Sequence, residues 1–150
     1  MLRVWFRSVA ICGLAACGDA TGVGQLPNIE GTWSYYSSWS VSGVFQCHYN
    51  PSSLSIDQTG ATFTGRLVTP ELICSLRGGL DESLGQDPTR AVLNGTINAA
   101  EEVIFDIDDE DRHHTGSVTG NYMSGTLRFT GDPFESGNAF TSEGFWSLRR

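Results

Sequence analysis

The sequence predicts an all-β domain, an antiparallel up-and-down barrel of about eight strands. Three observations predict it. Apolar and polar residues alternate with period two through much of the chain. Short links of glycine and small polar residues separate the alternating runs. No stretch carries the 3.6-residue apolar period of a helix.

The runs come in order at 32–35, 54–57, 63–67, 93–97, 103–107, 118–122, 127–129 and 146–148. In each, side chains at i and i+2 share a face, one apolar and one polar. Thr59-Gly60, Ala99-Ala100-Glu101 and Met123-Ser124-Gly125 read as turns between neighbouring runs. Links this short join antiparallel neighbours, and a meander of this many strands hides its edges by closing into a barrel. Gly65, Gly95, Gly120 and Gly125 fall inside runs and mark sharp sheet curvature. The segment 78–90 reads as a loop with one helical turn. The long links 40–52, 68–90 and 131–141 are where such a barrel would carry specificity.

Three segments precede or form this domain: a signal peptide over 1–16, a tether over 17–29 and the barrel over 30–150. Arg3 and Arg7 stand before the apolar run Val9-Ala10-Ile11-Cys12-Gly13-Leu14-Ala15-Ala16. A basic head and a short apolar stretch make a secretory signal. The stretch is far shorter than the ~20 residues a spanning helix needs. It ends in Leu14-Ala15-Ala16-Cys17, which resembles the lipobox of bacterial lipoproteins. That resemblance implies cleavage before Cys17 and a diacylglyceryl group, with its palmitate-type chains, on the thiol. Ordinary secretory cleavage would also use small residues, leaving Cys17 as a spare thiol. Asp directly after the cysteine is the family's inner-membrane retention signal. Here Gly18 follows and Asp19 is one place later, which implies the outer membrane or cell surface. Residues 18–29 are small and Gly-rich, as a tether from lipid to domain requires.

Composition narrows the function. The net charge is −8, and loss of Arg3 and Arg7 on cleavage takes it to −10. There is no lysine. A chain this acidic repels phosphate backbones, so nucleic acid is not an expected partner. Schiff-base chemistry has no amine to use. Cys12 leaves with the signal and Cys17 takes the lipid, which leaves Cys47 and Cys74. In an oxidising compartment they most simply form a disulfide, stabilising by on the order of 3 kcal/mol. The alternative, a redox pair, lacks Cys-x-x-Cys spacing.

Gly31-Thr32-Trp33 opens the first run, and Phe145-Trp146-Ser147-Leu148-Arg149 closes the last. This layout resembles the calycins: lipocalins, fatty-acid-binding proteins and avidins. The resemblance implies that Trp33 packs at the closed end of the barrel beneath Arg149, as a cation lies on a ring face. It also implies a small apolar ligand in the interior. Ile29-Glu30-Gly31-Thr32-Trp33 is avidin-like, but no tryptophan stands between Trp39 and Trp146, so biotin is not implied.

Trp33, Tyr35, Phe63, Phe105, Tyr122 and Phe129, with Trp146, either line a ligand cavity or fill the core, and both fit an eight-stranded barrel. The acidic run Asp106-Ile107-Asp108-Asp109-Glu110-Asp111 lacks the glycine and final glutamate of an EF-hand, and reads as a solvated tip. His113 and His114 point to opposite faces of a strand and cannot share one metal ion. There is no Gly-x-Ser-x-Gly elbow and no phosphate loop, so the sequence implies neither enzyme nor cofactor. The expected partners are the membrane through the lipid, and a small apolar ligand or an envelope protein.

Overall fold

The structure, a computed structural model, describes residues 24–41, 43, 45–68, 70–76, 79–108, 112–131 and 140–150. The signal peptide, the lipobox with Cys17, the start of the tether, residues 109–111 of the acidic run and most of 131–141 lie outside the described residues.

Ten strands form one antiparallel sheet: β1 (Gly31–Val41), β2 (Phe45–Thr59), β3 (Thr62–Leu67), β4 (Glu71–Leu76), β5 (Asp81–Gln86), β6 (Arg90–Ile97), β7 (Glu102–Ile107), β8 (Arg112–Thr119), β9 (Tyr122–Gly131) and β10 (Phe140–Arg149). Eight of them, β1–β3 and β6–β10, run as an up-and-down meander, and β1 closes the barrel by pairing with both β2 and β10. β4 and β5 form an extra hairpin inserted between β3 and β6.

β2 serves both parts. Its second half, Leu54 to Thr59, pairs with β3, while Phe45 to Tyr49 pairs with β4. The two halves are joined by a bulge. Tyr35 pairs with Ser52 but Ser37 pairs with Tyr49, so β2 carries one extra residue at Asn50-Pro51. Proline is tolerated there because the bulge leaves its position out of the ladder. The bulge also flips the inward parity, from Cys47 and Tyr49 to Leu54 and Ile56, all buried. Cys47 and Cys74 stand in register on β2 and β4 and form the disulfide.

One barrel end is closed by the chain's entry. The Ile29 amide donates to Gln58 Oε1 (2.8 Å), and Gln58 Nε2 donates to the Pro27 carbonyl (3.0 Å). Trp33 Nε1 donates to the Ile29 carbonyl at 2.8 Å. The opposite end, where β4 and β5 attach, is the mouth.

The sequence misplaces some boundaries. Residues 118–122 are not one strand: Gly120, at φ 59, and Asn121 turn the chain between β8 and β9. Glycine at the first central position of a two-residue turn suits the type II′ hairpin. Met123, Ser124 and Gly125 lie within β9 rather than in a turn, and Met123 is fully buried. The link 40–52 is largely strand, and the segment 78–90 contains β5 rather than a helical turn.

Candidate functional site

Trp33, Tyr35, Phe63, Phe105 and Phe129 all face the barrel interior and are buried. Trp146 joins them. The rings touch across the barrel: Phe63 and Phe105 at 5.9 Å between centroids, Phe105 and Trp146 at 5.1 Å, Trp39 and Phe129 at 5.4 Å. Side chains in ring-to-ring contact are a core. Tyr122 is a correction. It is 39% exposed on the outer wall, in a groove of about 470 Å³ with Tyr36, Pro51 and Phe145. It starts β9 immediately after the turn and points outward. The cation over Trp33 is Arg150, at 4.3 Å from the ring centroid, and Arg149 lies over Tyr122 instead. Alternation explains the shift: Leu148 is inward, so Arg149 is outward, and Arg150 turns over the barrel end, where Nη2 donates to the Glu30 carbonyl.

The sequence reading missed His114. It lies at the centre of the interior, fully buried and stacked on Phe105 at 4.3 Å. Extending the inward period backwards from Val118 through Gly116 would have found it. Its Nδ1 lies 2.9 Å from the Arg112 carbonyl, which can only accept, so Nδ1 carries the proton. Nε2 is then the acceptor, and the Tyr35 hydroxyl donates to it at 2.8 Å. Burial drives the His114 pKa down to about 3 and pushes that of Tyr35 well above its ordinary value. Both groups are therefore neutral and locked in one orientation.

Above this layer, Arg112 continues the inward set of β8 and packs its guanidinium over the rings of Tyr49 and Phe129, at 5.3 and 5.2 Å. It pairs with Asp108 at 2.6 Å, which also pairs with Arg90 at 3.0 Å. Asp87 pairs with Arg90 at 3.2 Å and receives the Tyr49 hydroxyl. Burial raises the pKa of Asp108, and the two arginines oppose that shift. Two cations and two carboxylates thus plug the mouth. Asp108 is not part of a freely solvated tip, and Asp106 is engaged elsewhere, with Asn94 and His113. Trp39 Nε1 and Ser142 Oγ are buried at this level with no partner among the described residues.

The β4–β5 hairpin differs from the other described strands. Every residue of β5 is exposed, on both faces. Its outer edge has no neighbour among the described strands. Leu76, Leu80 and Leu84 are exposed, Leu80 at 94%. The disulfide pins the hairpin's inner strand to β2, and Glu71 accepts from Asn50 Nδ2 (2.6 Å) and from Ser83 Oγ (2.8 Å). Comparison of the chain with models of known families, with curated proteins and with solved structures gives no match.

Proposed function

We propose that the protein is a non-enzymatic barrel of the bacterial cell envelope, anchored outside the cytoplasm by lipid on Cys17, that binds another envelope protein through the β4–β5 hairpin. The hairpin carries the reading. An unpaired strand edge bearing Leu84, with Leu76 and Leu80 exposed where β4 leads into β5, is costly in solution and useful for adding a strand from a partner. The acids Asp81 and Glu82 on the same strand favour an extended segment with basic side chains. The position of the tether supports it too: the chain enters at the closed end, so a membrane-anchored barrel holds the hairpin on the side away from the lipid.

A second reading keeps a small ligand at the mouth. Trp39 Nε1 and Ser142 Oγ are buried donors without partners, and an acceptor-bearing molecule would satisfy them. The ring contacts below disfavour a deep apolar ligand.

A photo-crosslinking residue at position 84, compared with one at the exposed position 119 on the opposite end, tests the interaction reading in intact cells. A discrete adduct from position 84 alone, abolished by Leu80→Glu, is expected. Equal labelling from both positions, or adducts indifferent to Leu80→Glu, would refute it.

A further inference from the structure

The outer wall of the barrel carries a polar hollow of about 460 Å³, level with the mouth but away from the hairpin edge, lined by Asp106, His113, Arg128 and Thr130. Three of these stand in one row across neighbouring strands: Asp106 on β7 pairs with His113 on β8, which pairs with Arg128 on β9. Thr130 follows two places along β9, on the same face.

The row is built from the inside outward. Asp106 is 6% exposed although it belongs to the outer face. Its Oδ2 accepts from Asn94 Nδ2 at 2.9 Å, and its Oδ1 lies 2.6 Å from His113 Nδ1. Asn94 reaches it from a bulge in β6, where Leu93 pairs with Asp106 but Thr96 pairs with Ile104. Asn94 itself has φ 53, a left-handed conformation that asparagine tolerates. A carboxylate accepts only, so His113 Nδ1 carries the proton and Nε2 is left for another group.

Arg128 is an uncommitted cation. Arg90 and Arg112 are each held by two carboxylates, whereas Arg128 forms no ion pair or hydrogen bond among the described residues. Glu143 faces it in register on β10 without pairing to it. In a chain of net charge −8 an unpaired guanidinium beside an oriented imidazole is unusual. One carboxylate and one histidine beside a guanidinium do not suit a metal cation, which the arginine would repel.

We propose that this hollow binds a small organic molecule through its phosphate group. A phosphate monoester presents three terminal oxygens. The Arg128 fork takes two of them, a geometry for which guanidinium is suited. His113 Nε2 meets the third, accepting its proton or donating one, and the Thr130 hydroxyl donates beside it. A carboxylate has no third oxygen to place against His113 and Thr130, and carries less charge to meet them. The hollow exceeds a bare ion and falls within the ~300–1,000 Å³ of small-molecule sites.

Titration of the full chain in detergent with phenyl phosphate, followed through the imidazole resonances of the histidines, tests the proposal. Saturable binding that moves the His113 ring signals and leaves those of His114 in place is expected. Arg128→Gln is expected to weaken binding by about tenfold or more, Thr130→Val by less, and Arg66→Gln, at another site on the outer wall, not at all. Benzoate binding as tightly as phenyl phosphate would overturn the phosphate assignment. Inorganic phosphate binding as tightly would remove the organic moiety from it. No saturation at millimolar concentrations, or affinity indifferent to Arg128→Gln, would overturn the site.

Discussion

His114 is held neutral by its surroundings, and that has a measurable cost in acid. Its folded pKa of about 3 lies below its ordinary value of 6.5. Between those values the unfolded chain binds a proton that the folded chain does not. Stability from this group is therefore complete above pH 6.5 and declines as pH falls toward 3, at up to about 1.4 kcal/mol per pH unit. Denaturant titrations at pH 7 and pH 4 are expected to show this loss, and His114→Phe to reduce it. An equal loss in that variant would place the acid sensitivity on carboxylates alone. Tyr35→Phe leaves Nε2 as a buried acceptor with no donor and is expected to cost about 1–3 kcal/mol at neutral pH. The inward position of His114 follows from the strand parity that also buries Val118 and Arg112; the alternation placed His113 and His114 on opposite faces without saying which of them turned inward. The aromatic set was legible because apolar rings at alternate positions have few other places to go. Tyr122 was not, because the turn falls at Gly120-Asn121 rather than at Met123-Ser124-Gly125, so Tyr122 stands opposite Thr119 on the outer face instead of continuing the inward face of Val118.

At the scale of the element, the β4–β5 hairpin is tied down at its inner strand and free at its outer one. Residues 78–90 show no alternation because β5 has no buried face to impose one, so periodicity had no purchase there. β2 was hidden for a different reason. Asn50-Pro51-Ser52-Ser53 has turn composition, yet the barrel continues through it by a bulge. The cysteines were easier to pair, since the span 30–150 holds two and they can join in one way. Their position gives the bond a local role: it joins β4 to β2 rather than two distant parts of the barrel. Cys47→Ser/Cys74→Ser is expected to raise amide hydrogen exchange across β4 and β5 while exchange in β7–β10 stays slow. Uniform acceleration across the barrel would show that the bond stabilises the whole fold instead. Leu72, a buried residue of β4 itself, still seats the hairpin once the bond is gone.

The whole molecule is a barrel with two unlike ends, one sealed by the incoming chain and one plugged by charge and bearing the hairpin. Up-and-down topology was legible because each strand is followed by its neighbour, and eight alternating runs were close to the eight strands that close. Cys17→Ser is expected to abolish palmitate labelling and release the protein from the membrane fraction; retention in membranes would point to another anchor. Of the four tryptophans, Trp33, Trp39 and Trp146 lie among the described residues, and all three are buried. Trp33 donates to a carbonyl at the sealed end, Trp146 to the Thr115 and Thr126 carbonyls halfway up, and Trp39, at the mouth, to nothing among the described residues. Light emitted by an indole reddens when water reaches it. Each ring therefore acts as a lamp at a known depth, and variants retaining one lamp apiece would time the wetting of the barrel from either end.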